Sequence, residues 1–552
     1  MTPVVWATSR TDVAARGYWD QTMLQDLFDR VAWAPVGGCR FEHRTSFTEE
    51  GSVVVIPGRM EPDAGWLNEQ IAPLPWVLII VTSDEEGRFP WQDLTHPNMR
   101  IWVQTPHPDR HQGADGFLPV GYTPGTRDTA AELASDDRIL EWAFAGQVTH
   151  DRRRAMLDQL HAHPEGGLVV ATDRFADGVP HTAFMADLCN AKTAPCPGGP
   201  QTPDTFRLWE ALQAGCVPLV DTKAGERPDL GDYWGMLFTD APFPMIGDWA
   251  EFRTTLERTN RVWHYEAARA GAWWLAYQRR LSYALTDTVC ALAGSQPEQV
   301  GVEDLVTVLV PTSPVPANPD IGHLIATLSS LADRGLGGCE TMIMCDGVRP
   351  VQSHLETGYH AALQRLVQHA QHDWPRVLPI VHDSHQHQAR MTRHALSLVR
   401  TPLVLFVEHD CPLVGPAPDW EALAKIVTGG EANLIRFHHE PQVLDEHRHL
   451  MPGEGPETVD GVNLWKCAQW SQRPHLASAN YYRRILGDWF AEDDRWMVEA
   501  KMHGVLQTAW EDRGMEGWGE HRVWMYHEPV GGSIKRSATT DARGDEPSWE
   551  DS

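Results

Sequence analysis

The sequence predicts an α/β protein: two linked parallel-sheet halves, followed by a third α/β domain that begins near residue 303. Three observations predict it. Short apolar runs of strand length alternate with polar, helix-capable segments through most of the chain. The 552 residues exceed what one hydrophobic core usually organises. The stretch AGSQPEQVGVED, at 293–304, has the Gly, Pro and polar content of a linker.

In chain order, the first strand-like runs are SVVVIPG (52–58), WVLIIVTSD (76–84) and IWVQTP (101–106). A second set opens at EWAFAGQVTHDRRRAMLDQL (141–160), where a strand leads through a polar turn into an amphipathic helix. It continues with GLVVATD (167–173) and CVPLVD (216–221). Two Rossmann-like subdomains, 1–125 and 126–292, are expected, the second ending in the mainly helical stretch from Trp249 to Ala293. The third domain, 303–552, opens with LVTVLVPTSPVPANPD (305–320) and a helix to about Arg334. ETMIMCDGVR (340–349), VLPIVHDSH (377–385) and LVLFVEHDCPLVG (403–415) follow, separated by helices. This rhythm assigns it a nucleotide-binding α/β sheet.

Composition narrows the function. With 42% hydrophobic and 22% charged residues, and no apolar run near the roughly 20 needed to cross a bilayer, a soluble globular protein without a membrane span is expected. The start, MTPVVWATSRTDVAARGYWD, lacks the layout of a signal peptide, so a cytoplasmic location is expected. Nine cysteines without a CxxC pair fit reduced thiols better than a disulfide framework or a zinc ribbon. A formal charge of 46 − 75 = −29 argues against broad nucleic-acid binding, while permitting a local basic pocket for one nucleotide. Most of the 24 tryptophans are expected in the core. The run HDSHQHQARMTRH (382–394) lacks a closed four-ligand spacing for a metal.

Ligands of open α/β sheets gather at the carboxyl ends of the strands. In the third domain those ends carry Pro311, Thr312 and Ser313, then Asp346 and Gly347, then His382 and Asp383, then Glu408 and Asp410. Asp346 could accept hydrogen bonds from a ribose or base edge, and Gly347 would let the chain turn closely against a ligand. An ordinary Asp-Gly turn reads the same way. Glu408 and Asp410 could hold Mn²⁺ or Mg²⁺ on a diphosphate, the alternative being a solvated turn. Arg390, on the helix before the last strand, could reach a phosphate or base.

Together VLVPTSPVPANPD, MIMCDGVR, LVLFVEHDCPL and WSQRPHLASANYYRRIL resemble the GT-A class of nucleotide-sugar glycosyltransferases, in its bacterial and phage-type form, over roughly 305–545. The resemblance places Glu408 and Asp410 at the DxD motif, with Glu in place of the first Asp, and implies a third metal contact from His527. Beyond it, Lys535, Arg536 and Arg543 could close over a diphosphate and stabilise the leaving group. The resemblance aligns Glu499 as the base of an inverting transfer. Ala500 stands where a second acid is expected, so Asp494 is kept as a second candidate. Arg473, His475 and Ser478 sit in a segment suited to gripping an acceptor.

In the first part, PGGPQTPDTFRLWEALQAGCVPLVD (197–221) resembles the nucleotide-binding half of exostosin-like, GT-B-type transferases. There a helix N-terminus faces the donor diphosphate and a glutamate holds ribose. Arg207 and Glu210 are the matching donor-binding candidates. A GT-B-like part followed by a GT-A-like domain implies a glycosyltransferase using a nucleoside diphosphate sugar, bifunctional if both sites work. The acceptor would be a protein, a glycan or a lipid-linked saccharide, with modified DNA least favoured on charge. Two other readings stay open: a sugar-phosphate nucleotidyltransferase, and a carbohydrate-binding scaffold with degenerate sites.

Overall fold

Val- and Ile-rich runs with no polar side to present to water need cover on both faces, and a parallel sheet with helices on each side supplies it. The computed structural model describes residues 2–7, 21–31, 41–44, 46–58, 63–173, 178–295, 301–413, 415–438 and 445–527. It divides into two units: Met1–Glu298 with Gln371–Asp373, and Gln299–Ala370 with Trp374–Ser552.

The first unit holds two parallel sheets. One comprises β1 (Thr2–Trp6), β2 (Phe41–Arg44), β3 (Ser52–Pro57), β4 (Val77–Thr82), β5 (Met99–Gln104) and β6 (Gly116–Leu118), in the order β2-β1-β3-β4-β5-β6. Every residue of β3 and β4 is buried, and each Val or Ile among them contributes about 1.5–3 kcal/mol. The other comprises β7 (Leu140–Gln147), β8 (Gly167–Thr172), β9 (Ala191–Cys196), β10 (Val217–Asp221) and β11 (Met245–Ile246), in the order β11-β10-β9-β7-β8. Both orders are Rossmann-like, as the sequence predicts.

Helix Trp263–Ala293 ends on Gly294, whose φ of 62° is the left-handed cap that stops a helix. Its Trp273, Trp274 and Tyr277 pack with Trp209 and Phe238, and the Tyr277 ring lies 5.0 Å from Trp273 and 5.9 Å from Trp209, nearly parallel to both. Many of the tryptophans are therefore core, as expected. One hydrophobic cluster runs through residues of both sheets.

The second unit holds one nine-stranded mixed sheet. Its strands are β12 (Val306–Thr312), β13 (Glu340–Cys345), β14 (Val377–Val381), β15 (Leu403–Phe406), β16 (Leu434–Phe437), β17 (Glu457–Val459), β18 (Val462–Lys466), β19 (His475–Ser478) and β20 (Val523–Tyr526). They lie in the order β14-β13-β12-β15-β19-β16-β20-β18-β17. The first four are mutually parallel, as the alternation predicts. The fifth, β19, runs antiparallel to both β15 and β16, and β20 runs parallel to β16. The carboxyl ends of β12 to β16 and β20 therefore share one rim with the amino end of β19. The segment 470–482 reads in the sequence as one suited to gripping an acceptor or as a core-crossing loop; in the structure its residues His475–Ser478 form the central strand of the sheet. No described helix is long and apolar enough to cross a membrane.

Candidate active site

β12, β13 and β14 are laid down successively to one side, and the chain then returns to place β15 on the other side of β12. Loops leaving β12 and β15 consequently diverge, opening a crevice at their carboxyl ends. Glu408, Asp410 and Cys411 follow β15 into it. The Val407 N–H continues the β12 pairing to Leu309 O (3.0 Å), and the Cys411 N–H closes a turn on Glu408 O at 3.0 Å. Helix Gly322–Leu331 pins this turn: Thr327 Oγ1 donates to His409 O (2.7 Å) and Ser330 Oγ accepts from the Leu413 N–H (2.8 Å). The Cys411 thiol stands 3.7 Å from both Glu408 Oε2 and Asp410 Oδ1. One donor atom from each of the three lies within 4.8 Å of the others.

Asp410 is 3% exposed, and among the described residues its carboxylate meets no N–H donor and no cation, only that thiol. A buried carboxylate in this state is costly unless a cation joins it. Two carboxylates and a sulfur converging on one point form a donor set that fits a divalent metal.

Asp346 ends β13 at 5% exposure, and both of its oxygens are engaged. Oδ1 accepts from the N–H groups of Gly347 (2.8 Å) and Gln386 (2.6 Å); Oδ2 accepts from the His387 N–H (3.1 Å) and pairs with His385 Nδ1 (2.8 Å). Burial raises its pKa, but the His385 and backbone bonds outweigh burial and hold it below the usual carboxylate range. A carboxylate has about four acceptor positions, and here the chain fills them. The expected ribose contact is thus corrected: Asp346 latches the 384–387 loop against the rim. Gly347 does serve a close approach, although to the chain itself, since a Cβ there would sit 2.2 Å from the Ser384 carbonyl carbon.

That loop leads to the base candidates. Gln388 Oε1 accepts from the Val498 N–H (2.7 Å) and from Gln472 Nε2 (2.7 Å), and the Ala389 N–H donates to Trp496 O (3.0 Å). Three loops are thereby tied together around Glu499, which occupies the first turn of helix Val498–Arg513 and is half-buried. Its Oε2 accepts from the Gln472 N–H (3.1 Å), and Oε1 has no partner among the described residues. Asp494 differs: Oδ2 accepts from the Ala491 N–H (2.9 Å) and Lys501 Nζ (3.3 Å). Those bonds, the backbone one first, hold it below the usual range.

Pro311, Thr312 and Ser313 lie half-buried where β12 reaches the rim, with Thr312 O accepting from the Asp346 N–H at 2.9 Å. Arg390 is half-buried in the first turn of helix His387–Leu398, with no hydrogen bond or ion pair among the described residues. Burial, then His394 and more weakly Arg390, hold the nearby His382 down at about 4.

Arg473 reaches the rim where β19 begins, half-buried, but its neighbours in the sequence do other work. His475 is 1% exposed, stacked between Phe406 (5.3 Å) and Tyr482 (5.7 Å), and its Nε2 pairs with Tyr482 Oη (2.7 Å). It is a core residue, not an acceptor contact. Ser478 lies at the far end of β19, opposite Leu403, where its Oγ accepts from the Tyr481 N–H and caps helix Ala479–Trp489. That places it on the opposite rim and corrects the acceptor assignment.

His527 follows β20 on the right rim, yet three strand spacings, roughly 14 Å, separate β20 from β15. It packs against His438 at 5.1 Å between ring centroids and is absent from the ligand cluster, whose third member is Cys411. Cysteine count and CxxC spacing do not point to Cys411; its position directly after Asp410 is the usable signal in the sequence. Arg536 and Arg543 lie outside the described residues.

In the first unit, the analogous crevice lies between β7 and β9, because β8 and β9 flank β7 on opposite sides. Arg207, on helix Phe206–Gln213, donates from Nε to Ala145 O (2.8 Å) and lies over the Phe144 ring (5.4 Å). A Cβ at residue 146 would fall 1.7 Å from its guanidinium, so Gly146 leaves the room in which Arg207 lies. Arg153 joins it, donating to Gly198 O (3.0 Å) and Gln147 O (2.9 Å). Burial, then repulsion from Arg207, lower its pKa to about 9. Glu210, 4% exposed, is committed elsewhere: Thr123 Oγ1 donates to it at 2.6 Å, and His181 Nε2 stands 3.6 Å away. Its expected ribose contact is replaced by this internal pairing.

No protein-family model matches the chain, and no curated protein matches it. Among solved structures, similarity extends to the mannosyltransferase PcManGT from Pyrobaculum calidifontis, in complex with GDP-Man and Mn²⁺. It covers 50% of this chain and 70% of that one, at 15% identity and a TM-score of 0.28. A second is S. aureus TarS 1-349, covering 42% of this chain and 59% of that one, at 11% identity and a TM-score of 0.27. Overlap at these scores carries no functional argument.

Proposed function

We propose that the second unit is a metal-dependent glycosyltransferase of the GT-A type, moving a sugar from a nucleoside diphosphate donor to a hydroxyl acceptor. The observation that carries this reading is Asp410, a buried carboxylate at the β12/β15 crevice with no cationic partner among the described residues. Glu408 and Asp410 are the residues that would hold Mn²⁺ or Mg²⁺, which when bound offsets the charge of the donor diphosphate. Arg390 offers a guanidinium to a phosphate or base, and Pro311 to Ser313 form the wall beneath the nucleoside. Asp346 acts through the 384–387 loop as a positioning residue.

Glu499 Oε1 takes the proton of the acceptor hydroxyl. The acceptor oxygen then bonds to the anomeric carbon while the bond from that carbon to the diphosphate oxygen breaks, releasing the nucleoside diphosphate. The Gln472 N–H on Oε2 fixes the carboxylate without occupying the reacting oxygen. Arg473 is the remaining acceptor contact at the rim. Arg153 and Arg207 support a second donor site in the first unit, hence a bifunctional chain. The eight cysteines among the described residues are all buried, and no disulfide joins any two of them, which suits a reducing, cytoplasmic setting.

The test begins with thermal-shift screening of UDP-, GDP-, ADP- and dTDP-sugars with Mn²⁺, followed by turnover of whichever donor stabilises the chain. Glu499→Gln is expected to lower kcat by about 10²–10⁴-fold with the donor KM little changed. Full turnover in Asp410→Asn would sink the reading, and release of pyrophosphate would replace it with nucleotidyl transfer.

A further inference from the structure

We infer that Cys411 is the third protein donor to the cation in the β15 turn, and that its sulfur biases the site toward transition-metal ions over Mg²⁺. This rests on the metal-dependent reading above and specifies its metal. Cys411 is 1% exposed, and the turn that carries it is fixed from three directions, by its own closing bond to Glu408 O and by Thr327 and Ser330. A thiol held between two carboxylate oxygens, at 3.7 Å from each, makes a weak hydrogen bond to both. Those bonds leave Asp410 buried and nearly unpartnered. Both features are resolved together if one ion takes an oxygen from Glu408, an oxygen from Asp410 and the sulfur of Cys411, whose proton passes to solvent.

The three donor atoms are close enough to share one ion with small side-chain adjustments, since metal–oxygen and metal–sulfur bonds of about 2.0–2.6 Å place ligand atoms roughly 3–4 Å apart. An all-oxygen site suits Mg²⁺, Ca²⁺ and Mn²⁺ alike, whereas a sulfur donor raises affinity along the series from Mn²⁺ to Co²⁺ and Zn²⁺ and offers nothing to Mg²⁺. The remaining positions would fall to the donor diphosphate and water. No other group of three such ligands occurs among the described residues.

The experiment uses the full chain, with Co²⁺ and Cd²⁺ as probes, by titration and absorption spectroscopy. Wild type is expected to develop a sulfur-to-metal charge-transfer band with either ion. That band should vanish in Cys411→Ser and in Asp410→Asn, so that none of it belongs to the other eight cysteines. Cys411→Ser is expected to weaken Co²⁺ binding by at least about tenfold while leaving Mg²⁺ binding unchanged. Cadmium NMR of the unsubstituted protein gives an independent reading that requires no variant to fold, and a sulfur-ligated shift is expected. An all-oxygen cadmium shift, or a band that persists in Cys411→Ser, overturns the role of Cys411 while leaving the carboxylate site intact. Absence of Mn²⁺ binding by electron paramagnetic resonance, with and without UDP and GDP, overturns the underlying metal-dependent reading as well.

Discussion

Two buried aspartates, each beyond or at the carboxyl end of a parallel strand, have opposite surroundings. Asp221, which ends β10, is fully buried and grips Arg152 Nε with both oxygens (2.7 and 2.8 Å); Trp249 Nε1 (3.0 Å), the Lys223 N–H (3.0 Å) and the Gly198 N–H (3.4 Å) also donate to it. Asp410, beyond β15, is nearly as buried and, among the described residues, has a thiol as its one side-chain partner. Burial and position at a rim are therefore poor guides to function when taken alone. The partner inventory separates a strut from a site, because a satisfied charge holds the fold while an unsatisfied one waits for something to arrive.

The sharpest way to break this comparison is to neutralise each acid. Asp221→Ala strands the Arg152 guanidinium, and the first unit is expected to lose about 3–5 kcal/mol in urea unfolding. Asp410→Asn removes a charge that lacks a partner, so metal-free stability is expected to hold or rise while donor turnover is lost. Equal destabilisation by the two substitutions would show that Asp410 is a strut too.

Asp204 is the intermediate case. Its partners are neutral donors, the Val120 N–H (2.7 Å), Trp209 Nε1 (2.7 Å) and Tyr233 Oη (3.2 Å). Burial raises its pKa to about 7, against the lowering effect of those bonds. Because the folded value exceeds the unfolded one, the folded state binds the extra proton, and the stability it contributes is complete below about pH 4. It is lost as pH rises through about 7, and between about pH 5 and pH 8 the loss is about 3 kcal/mol. Urea unfolding at the two pH values measures it, and Asp204→Asn is expected to flatten the difference by that amount.

Asp346 has charge-assisted partners, so its effect is smaller and opposite in sign with pH. Asp346→Asn replaces a carboxylate that orders the 384–387 loop, and a loss of about 1–3 kcal/mol is expected. Its depressed pKa means this stability is present above the ordinary carboxylate value and disappears as pH falls through the folded one. Faster hydrogen exchange at Gln386 and His387 in the variant would localise the effect to the latch.

Much of this rim was legible in the sequence because strand ends can be found from apolar runs. Glu408 and Asp410 follow LVLF, and Asp346 follows TMIMC, so one topological rule gathers them before any coordinates exist. What a side chain does there was less legible. His475 and Ser478 sit in a polar-looking stretch, and nothing in HLAS announces a central antiparallel strand, since a four-residue segment is too short to show a period. Asp346 looks free in the sequence because three of its four donors come from a loop about 40 residues away. Glu210 looked like a ligand contact for the same reason, its partner Thr123 being 87 residues distant.

The smallest expected effect sharpens the comparison most finely, within a single loop and helix. Asp494 and Glu499 are five positions apart and both look like bases in the sequence. Asp494 is partly exposed and bonded on Oδ2 to the Ala491 N–H and Lys501; Glu499 keeps Oε1 unpartnered among the described residues. Asp494→Asn can still accept the Ala491 N–H through its amide oxygen, and it loses only a screened contact with lysine. Urea-unfolding stability and kcat are therefore both expected to stay near wild type. If instead Asp494→Asn abolished turnover while Glu499→Gln did not, the acid with partners would be the base. Counting partners would then have failed as a guide to which acid acts.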